Sequence, residues 1–106
     1  MYVLSLLSLF VSANAFAEDT RAQVPIGIAV GPNQNIEVSF PNMTNYQGCA
    51  FSGAFVIDPT LDKETKSAML SLLMQAKATN TPVRVRLNGC TDRPTFSYVF
   101  MDVNWL

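Results

Sequence analysis

The chain has 106 residues, with seven basic and eight acidic side chains, no histidine and a net charge of −1. Without histidine it lacks the commonest general base and the commonest metal ligand. Without a run of like charge from residue 18 onward it also lacks the basic stripe with which proteins neutralise nucleic-acid phosphates.

Met1 to Ala17 carries no charge, and Leu4, Leu6, Leu7, Leu9, Phe10 and Val11 form a compact apolar block. A membrane-spanning helix needs about 20 apolar residues. This block is shorter and runs into Ala15-Phe16-Ala17 followed by Glu18-Asp19, the small-x-small pattern of a secretory signal. Cleavage is expected between Ala17 and Glu18, with Ala13-Asn14-Ala15 offering a second site. The absence of Lys or Arg near Met1 departs from the usual basic start and leaves a start codon further upstream open. Residues 1–17 are thus a leader and 18–106 one exported domain, periplasmic or secreted, with no span left in a membrane. Two cysteines in an exported chain of this size predict a Cys49–Cys90 disulfide. They lack Cys-x-x-Cys spacing and cannot by themselves build an ordinary zinc site.

Val24, Ile26, Ile28 and Val30 alternate with Pro25, Gly27, Ala29 and Gly31, as expected of a first strand. Pro32-Asn33-Gln34-Asn35 turns the chain into a second strand, where Ile36, Val38 and Phe40 alternate with Glu37 and Ser39. Asn42 to Gly48 is a polar loop. Within it Tyr46, with Asn45 and Gln47, presents either an aromatic and amide face for a sugar or simple loop packing. The apolar run Ala50 to Ile57 predicts a third, central strand.

Asp58-Pro59 predicts a helix start with Asp58 as N-cap and Asp62 and Glu64 in the first turn. The helix should run to about residue 78, with Leu61, Thr65, Ala68, Met69, Leu72, Leu73 and Ala76 on its core face and Met69 and Met74 as packing residues. Asn80 suits the left-handed C-terminal position, and Pro82 stops continuation. Val83, Val85 and Leu87 then alternate with Arg84, Arg86 and Asn88 in a half-exposed strand. Arg84 and Arg86, with Arg93 nearby, make either a small anion-accepting patch or a solvated strand face. In the last strand Phe96, Tyr98 and Phe100 share one face by strict alternation, opposite Ser97, Val99, Met101, Val103 and Trp105. Trp105-Leu106 is either a core anchor or a contact for a second subunit.

Three strands, a helix and two strands make a mainly β, α+β chain in the order β-β-β-α-β-β. That is the order of a small OB-type five-stranded barrel. Thr79-Asn80-Thr81-Pro82-Val83-Arg84-Val85 after an Ala- and Leu-rich helix, Cys49-Ala50-Phe51 opening the third strand, and Asn88-Gly89-Cys90 after the fourth together resemble OB-fold B subunits of AB-type bacterial toxins, subtilase-cytotoxin-like. The resemblance covers roughly Cys49 to Val99 and implies a ring-forming subunit that binds host glycans through loops and strand edges.

No catalytic, cofactor or metal site is expected. There is no glycine-rich phosphate loop, and the acidic residues are spread along the chain, with Glu37, Asp92 and Asp102 the best candidates for any carboxylate chemistry. The reading that follows is an exported, non-enzymatic binding subunit with a glycan or protein partner, a homo-oligomer if the ring forms. The alternative is a monomeric periplasmic protein with a structural or inhibitory role toward another protein. Tyr46, Gln47, Arg84 and Arg86 are the candidate ligand contacts.

Overall fold

A computed structural model describes residues 17–43, 47–51 and 53–101. Its strands are β1 (Glu18–Asp19), β2 (Gly27–Gly31), β3 (Asn35–Ser39), β4 (Phe55–Ile57), β5 (Val83–Cys90) and β6 (Pro94–Met101), with one α-helix, α1 (Lys63–Thr79), between β4 and β5. They form one six-stranded sheet in the order β1-β5-β6-β4-β3-β2. Every pairing is antiparallel except β4 with β6, the pair that the chain joins through α1 and β5. Residues 1–16 of the leader expected over 1–17, and Asp102, Val103, Trp105 and Leu106 near the end of the chain, lie outside the described residues, and no described helix is long and apolar enough to cross a membrane.

The core follows from alternation. Ile36 and Val38 of β3, Val83, Val85 and Leu87 of β5, and Phe55 and Ile57 of β4 are buried beneath Met69, Leu73 and Ala76 of α1. Phe40 continues this layer just past β3 and meets Phe55 with ring centroids 5.9 Å apart. Edge strands β1 and β2 stand at opposite ends of the sheet order, yet only residues 20–26 separate them. Thr20 N–H donates to the Val85 carbonyl (2.9 Å), Gln23 and Val83 exchange both backbone bonds (3.0 and 2.8 Å), and Ile26 N–H then donates to Ser39 (2.9 Å). One short segment therefore hydrogen-bonds first to β5 and then to β3. It draws the two ends of the sheet toward each other without a continuous ladder between them.

Four expectations about the number and bounds of the elements need correction. There are six strands, because Glu18–Asp19 pairs with Leu87 and Arg86 of β5. The first long strand begins at Gly27, not at Val24. It is a sheet edge, so Ile26 and Val30 remain exposed although they keep the strand period. The third strand is confined to Phe55–Ile57, because Cys49 is tied instead to Cys90 at the end of β5 and the Phe51 N–H donates to Asp92. Finally, α1 starts at Lys63 with Asp62 as its N-cap, its carboxylate accepting the Thr65 N–H at 3.0 Å. Asp58 is still held by the sheet, its N–H donating to the Phe96 carbonyl. Its carboxylate accepts Thr60 N–H (2.9 Å), Thr60 Oγ1–H (2.8 Å) and Asn88 Nδ2–H (2.9 Å).

The far end of α1 behaves as expected. Asn80 adopts the left-handed conformation (φ 61°), and its N–H returns to Ala76 and Lys77 while Thr81 N–H reaches the Ala76 carbonyl. Thr65 and Ala68, by contrast, are exposed rather than core, and Met74 is 55% exposed rather than packed.

β6 departs from strict alternation. Arg86 and Leu87, adjacent on β5, stand opposite Tyr98 and Phe96, two apart on β6, so Ser97 is an extra residue in the ladder. This bulge separates Phe96, fully buried, from Tyr98, 57% exposed, and corrects the expectation that Phe96, Tyr98 and Phe100 share a face.

Two carboxylates tie the N-terminal strand and the helix entrance to β5, and both should make the fold acid-sensitive. The hydrogen bond from Arg86 holds the Asp19 carboxyl below its ordinary value against a small opposing effect of burial. For Asp58, burial pushes the carboxyl up, but the bonds from Thr60 and Asn88 outweigh it and the net direction is down. A carboxylate with a depressed folded pKa contributes stability that is complete above its unfolded value, near 3.9, and is lost as pH falls through the folded value. Melting temperature is therefore expected to drop as pH falls below about 4. The drop should be shallower in Asp19→Asn, and thermal scans from pH 7 to pH 2 would read both.

Candidate ligand-binding cleft

β3 turns Ile36 and Val38 into the core and Glu37 outward, opposite Val56 of β4. The turn between β5 and β6 delivers Arg93 to the same place. Arg93 Nη1 lies 2.8 Å from Glu37 Oε1, with the two side chains 34% and 31% exposed. An ion pair at that depth is only partly hydrated, and it holds both planar groups in one orientation while leaving guanidinium donors and a carboxylate oxygen available to a ligand.

The disulfide adds the third element. Cys49 and Cys90 are bonded, with Cα atoms 5.7 Å apart. The β5–β6 register slips between Leu87 and Cys90, where Gly89 takes φ 125°, a conformation suited to glycine. The crosslink and the Phe51 N–H bond to Asp92 (2.9 Å) bring the segment after Cys49 against the 91–93 turn. Phe51 stands there 59% exposed. Two adjoining cavities of about 350 and 270 Å³ share Glu37 and Arg93; Phe51, Gly53 and Ala54 border the first, Asn35, Thr91 and Asp92 the second. The result is a shallow cleft with one aromatic ring, one ion pair and a polar rim that includes the Asp92 carboxylate, suited to a small polar ligand that also has an apolar face.

Of the candidate contacts expected from the sequence, the described ones, Gln47, Arg84 and Arg86, do not border this cleft. Tyr46 lies outside the described residues. Gln47 Nε2 donates to Glu18 Oε1 at 2.7 Å and so fastens the loop to β1. Arg86 is paired with Asp19 (Nε to Oδ1, 2.8 Å), and its guanidinium lies 5.2 and 5.1 Å from the ring centroids of Tyr98 and Phe100. Arg84 is exposed beside Arg86 and contributes to the field at Asp19. With Asp19 bonded to Arg86 and Arg93 paired to Glu37, an anion-accepting patch, one of the two readings open for these arginines, is divided between two places and partly neutralised. Among the described residues no three Asp, Glu, Cys or His side chains gather as a metal-holding group.

No known family model matches this chain, and no curated protein matches it. The likeness to toxin B subunits therefore rests on the short motifs from Cys49 to Val99 alone. The cleft had a signal in the sequence that went unused: if Cys49 joins Cys90, the residues just after each cysteine, Phe51 and Arg93, must come together. Glu37, the one charged residue in the Ile36–Phe40 run, then faces them from the outer side of β3.

Proposed function

We propose that the chain is an exported, non-enzymatic binding subunit on an OB-type scaffold, that it holds a carbohydrate in the Glu37–Arg93 cleft, and that it acts in a ring of identical copies. Strand order supports the scaffold: β2-β3-β4-β6-β5, with only β4 and β6 parallel and α1 between β4 and β5, is the order an OB-type barrel requires. Residues 20–26, bonded to both β5 and β3, supply the curl. Oligosaccharide-binding OB domains use the face of their second and third strands and the flanking loops. On that reading the corresponding elements of this chain are β3, β4 and the 91–93 turn. A fold supplies only a scaffold, so the site must carry the reading.

The observation that carries it is the Arg93–Glu37 pair beside exposed Phe51. A pyranose ring presents C–H groups to an aromatic face and hydroxyls to planar donors and acceptors. The ion pair has already ordered those donors and acceptors, which lowers the entropy cost of binding.

The oxidised protein should retain at least one carbohydrate on a broad glycan array. Titration with that carbohydrate should then show about tenfold or greater weakening in Phe51→Ala and in Arg93→Ala, the loss expected for a central contact. Arg84→Ala should bind normally. An array with no retained glycan, or a Phe51→Ala variant as tight as the parent, would defeat the carbohydrate reading. Light scattering on the same sample tests the ring, which a monomeric mass would remove.

A further inference from the structure

We infer that a second binding site, for a single-chain carboxylate amphiphile such as a free fatty acid, lies in the apolar groove between β2 and α1. Ser67, Leu70, Met74 and Lys77 recur at steps of three, four and three residues and so lie along one side of the helix. Across from them run Ile28 and Val30 of β2. Ile28 and Leu70 are half-buried against the core and form the floor, while Val30 and Met74, 56% and 55% exposed, form the walls of a groove of about 450 Å³.

The two ends of the groove differ. Beyond Leu70, on the hairpin side, Gln34 Nε2 donates to Ser67 Oγ at 2.9 Å and joins the β2–β3 turn to the helix. At the other end stands Lys77, exposed and in no ion pair among the described residues; it is the one charged group of the lining. From Leu70 to Lys77, the stretch of helix that lines the groove, the rise is about 10 Å. An apolar groove of that length with a cation at one end matches an extended alkyl segment with its carboxylate at Lys77. Lys77 in the last turn also complements the helix dipole, which a reversal of its charge can separate from a role in ligand binding.

The test is calorimetric titration of the full oxidised chain, below micelle-forming concentrations, with dodecanoate and with dodecyltrimethylammonium, which carries the same chain and the opposite charge. The parent should take up dodecanoate at one site and bind the cationic amphiphile more weakly, by about fivefold or more, the scale of one partly exposed charge pair. Met74→Glu should abolish dodecanoate uptake, and Lys77→Glu should invert the preference between the two amphiphiles. Both side chains are exposed, so Met74→Glu should melt close to the parent and Lys77→Glu only slightly lower, through its lost interaction with the helix dipole. The inference fails if dodecanoate does not bind, if Met74→Glu binds it unchanged, or if Lys77→Glu keeps the parent's preference. It fails equally if the parent forms a dimer that Met74→Glu breaks, which would give the groove to a second copy. Binding to anionic vesicles without uptake of monomeric dodecanoate would give it to a membrane surface and would also overturn the inference.

Discussion

Replacing Cys49 and Cys90 together by alanine is expected to lower the stability of the domain by about 4 kcal/mol, the chain-entropy value for a crosslink that spans 41 residues. For a domain of this size that is a fall in melting temperature of roughly 15–30 °C. The loss is large because the crosslink closes a loop containing β4, α1 and most of β5, so without it the unfolded chain gains freedom over nearly half the described residues. It also has a local part. The disulfide and one backbone hydrogen bond seat Phe51 against the 91–93 turn. A double variant that still folds at low temperature should therefore bind the array-selected glycan more weakly than its remaining secondary structure would suggest. Calorimetric melts of the parent and double variant, with and without reductant, read the first effect. If the parent melts within a few degrees of the double variant, the constraint on the unfolded chain is far weaker than the loop length implies.

What the sequence made legible was what local chemistry decides. β3 and β5 bury alternate residues as their patterns require, and Asn80 takes the left-handed position that ends α1. The cysteine count led to the right pair. The failures share a different cause. Asp58 has the composition of an N-cap, but its N–H is claimed by Phe96, far away in sequence, so the helix begins only when the chain has left the sheet. Arg86 reads as an exposed strand cation, yet Asp19 pins it over Tyr98 and Phe100. Glu37 reads as a lone solvated acid until Arg93 arrives from the next hairpin. In each case the partner lies dozens of residues away, and no local period carries that information. Met74 shows the same limit from the other side. A methionine in an apolar helix reads as a packing residue by default, but this one stands 55% exposed at the wall of the groove beside β2.

The sharpest case is β6, and it makes the largest single-residue prediction. Phe96→Ala is expected to cost about 3–5 kcal/mol, the usual loss for truncating a fully buried phenylalanine. That is a large share of the roughly 5–15 kcal/mol that stabilises a typical domain. Tyr98→Ala should cost only about 1 kcal/mol, chiefly the contact of its ring with the Arg86 guanidinium at an exposed site. Strict alternation would put both rings on one face and make the two losses alike. The extra residue, Ser97, is what separates them: it lets Leu87 meet Phe96 inside while Arg86 meets Tyr98 outside. The pattern then resumes, with Val99 opposite Val85 on the core side. Urea unfolding of the two variants would measure the difference directly. Equal midpoints would mean that Tyr98 points inward and that the ladder runs without the bulge. A midpoint far lower for Phe96→Ala than for Tyr98→Ala would locate the bulge at Ser97, and with it the register that keeps Arg86 on the outer face, where Asp19 can reach it.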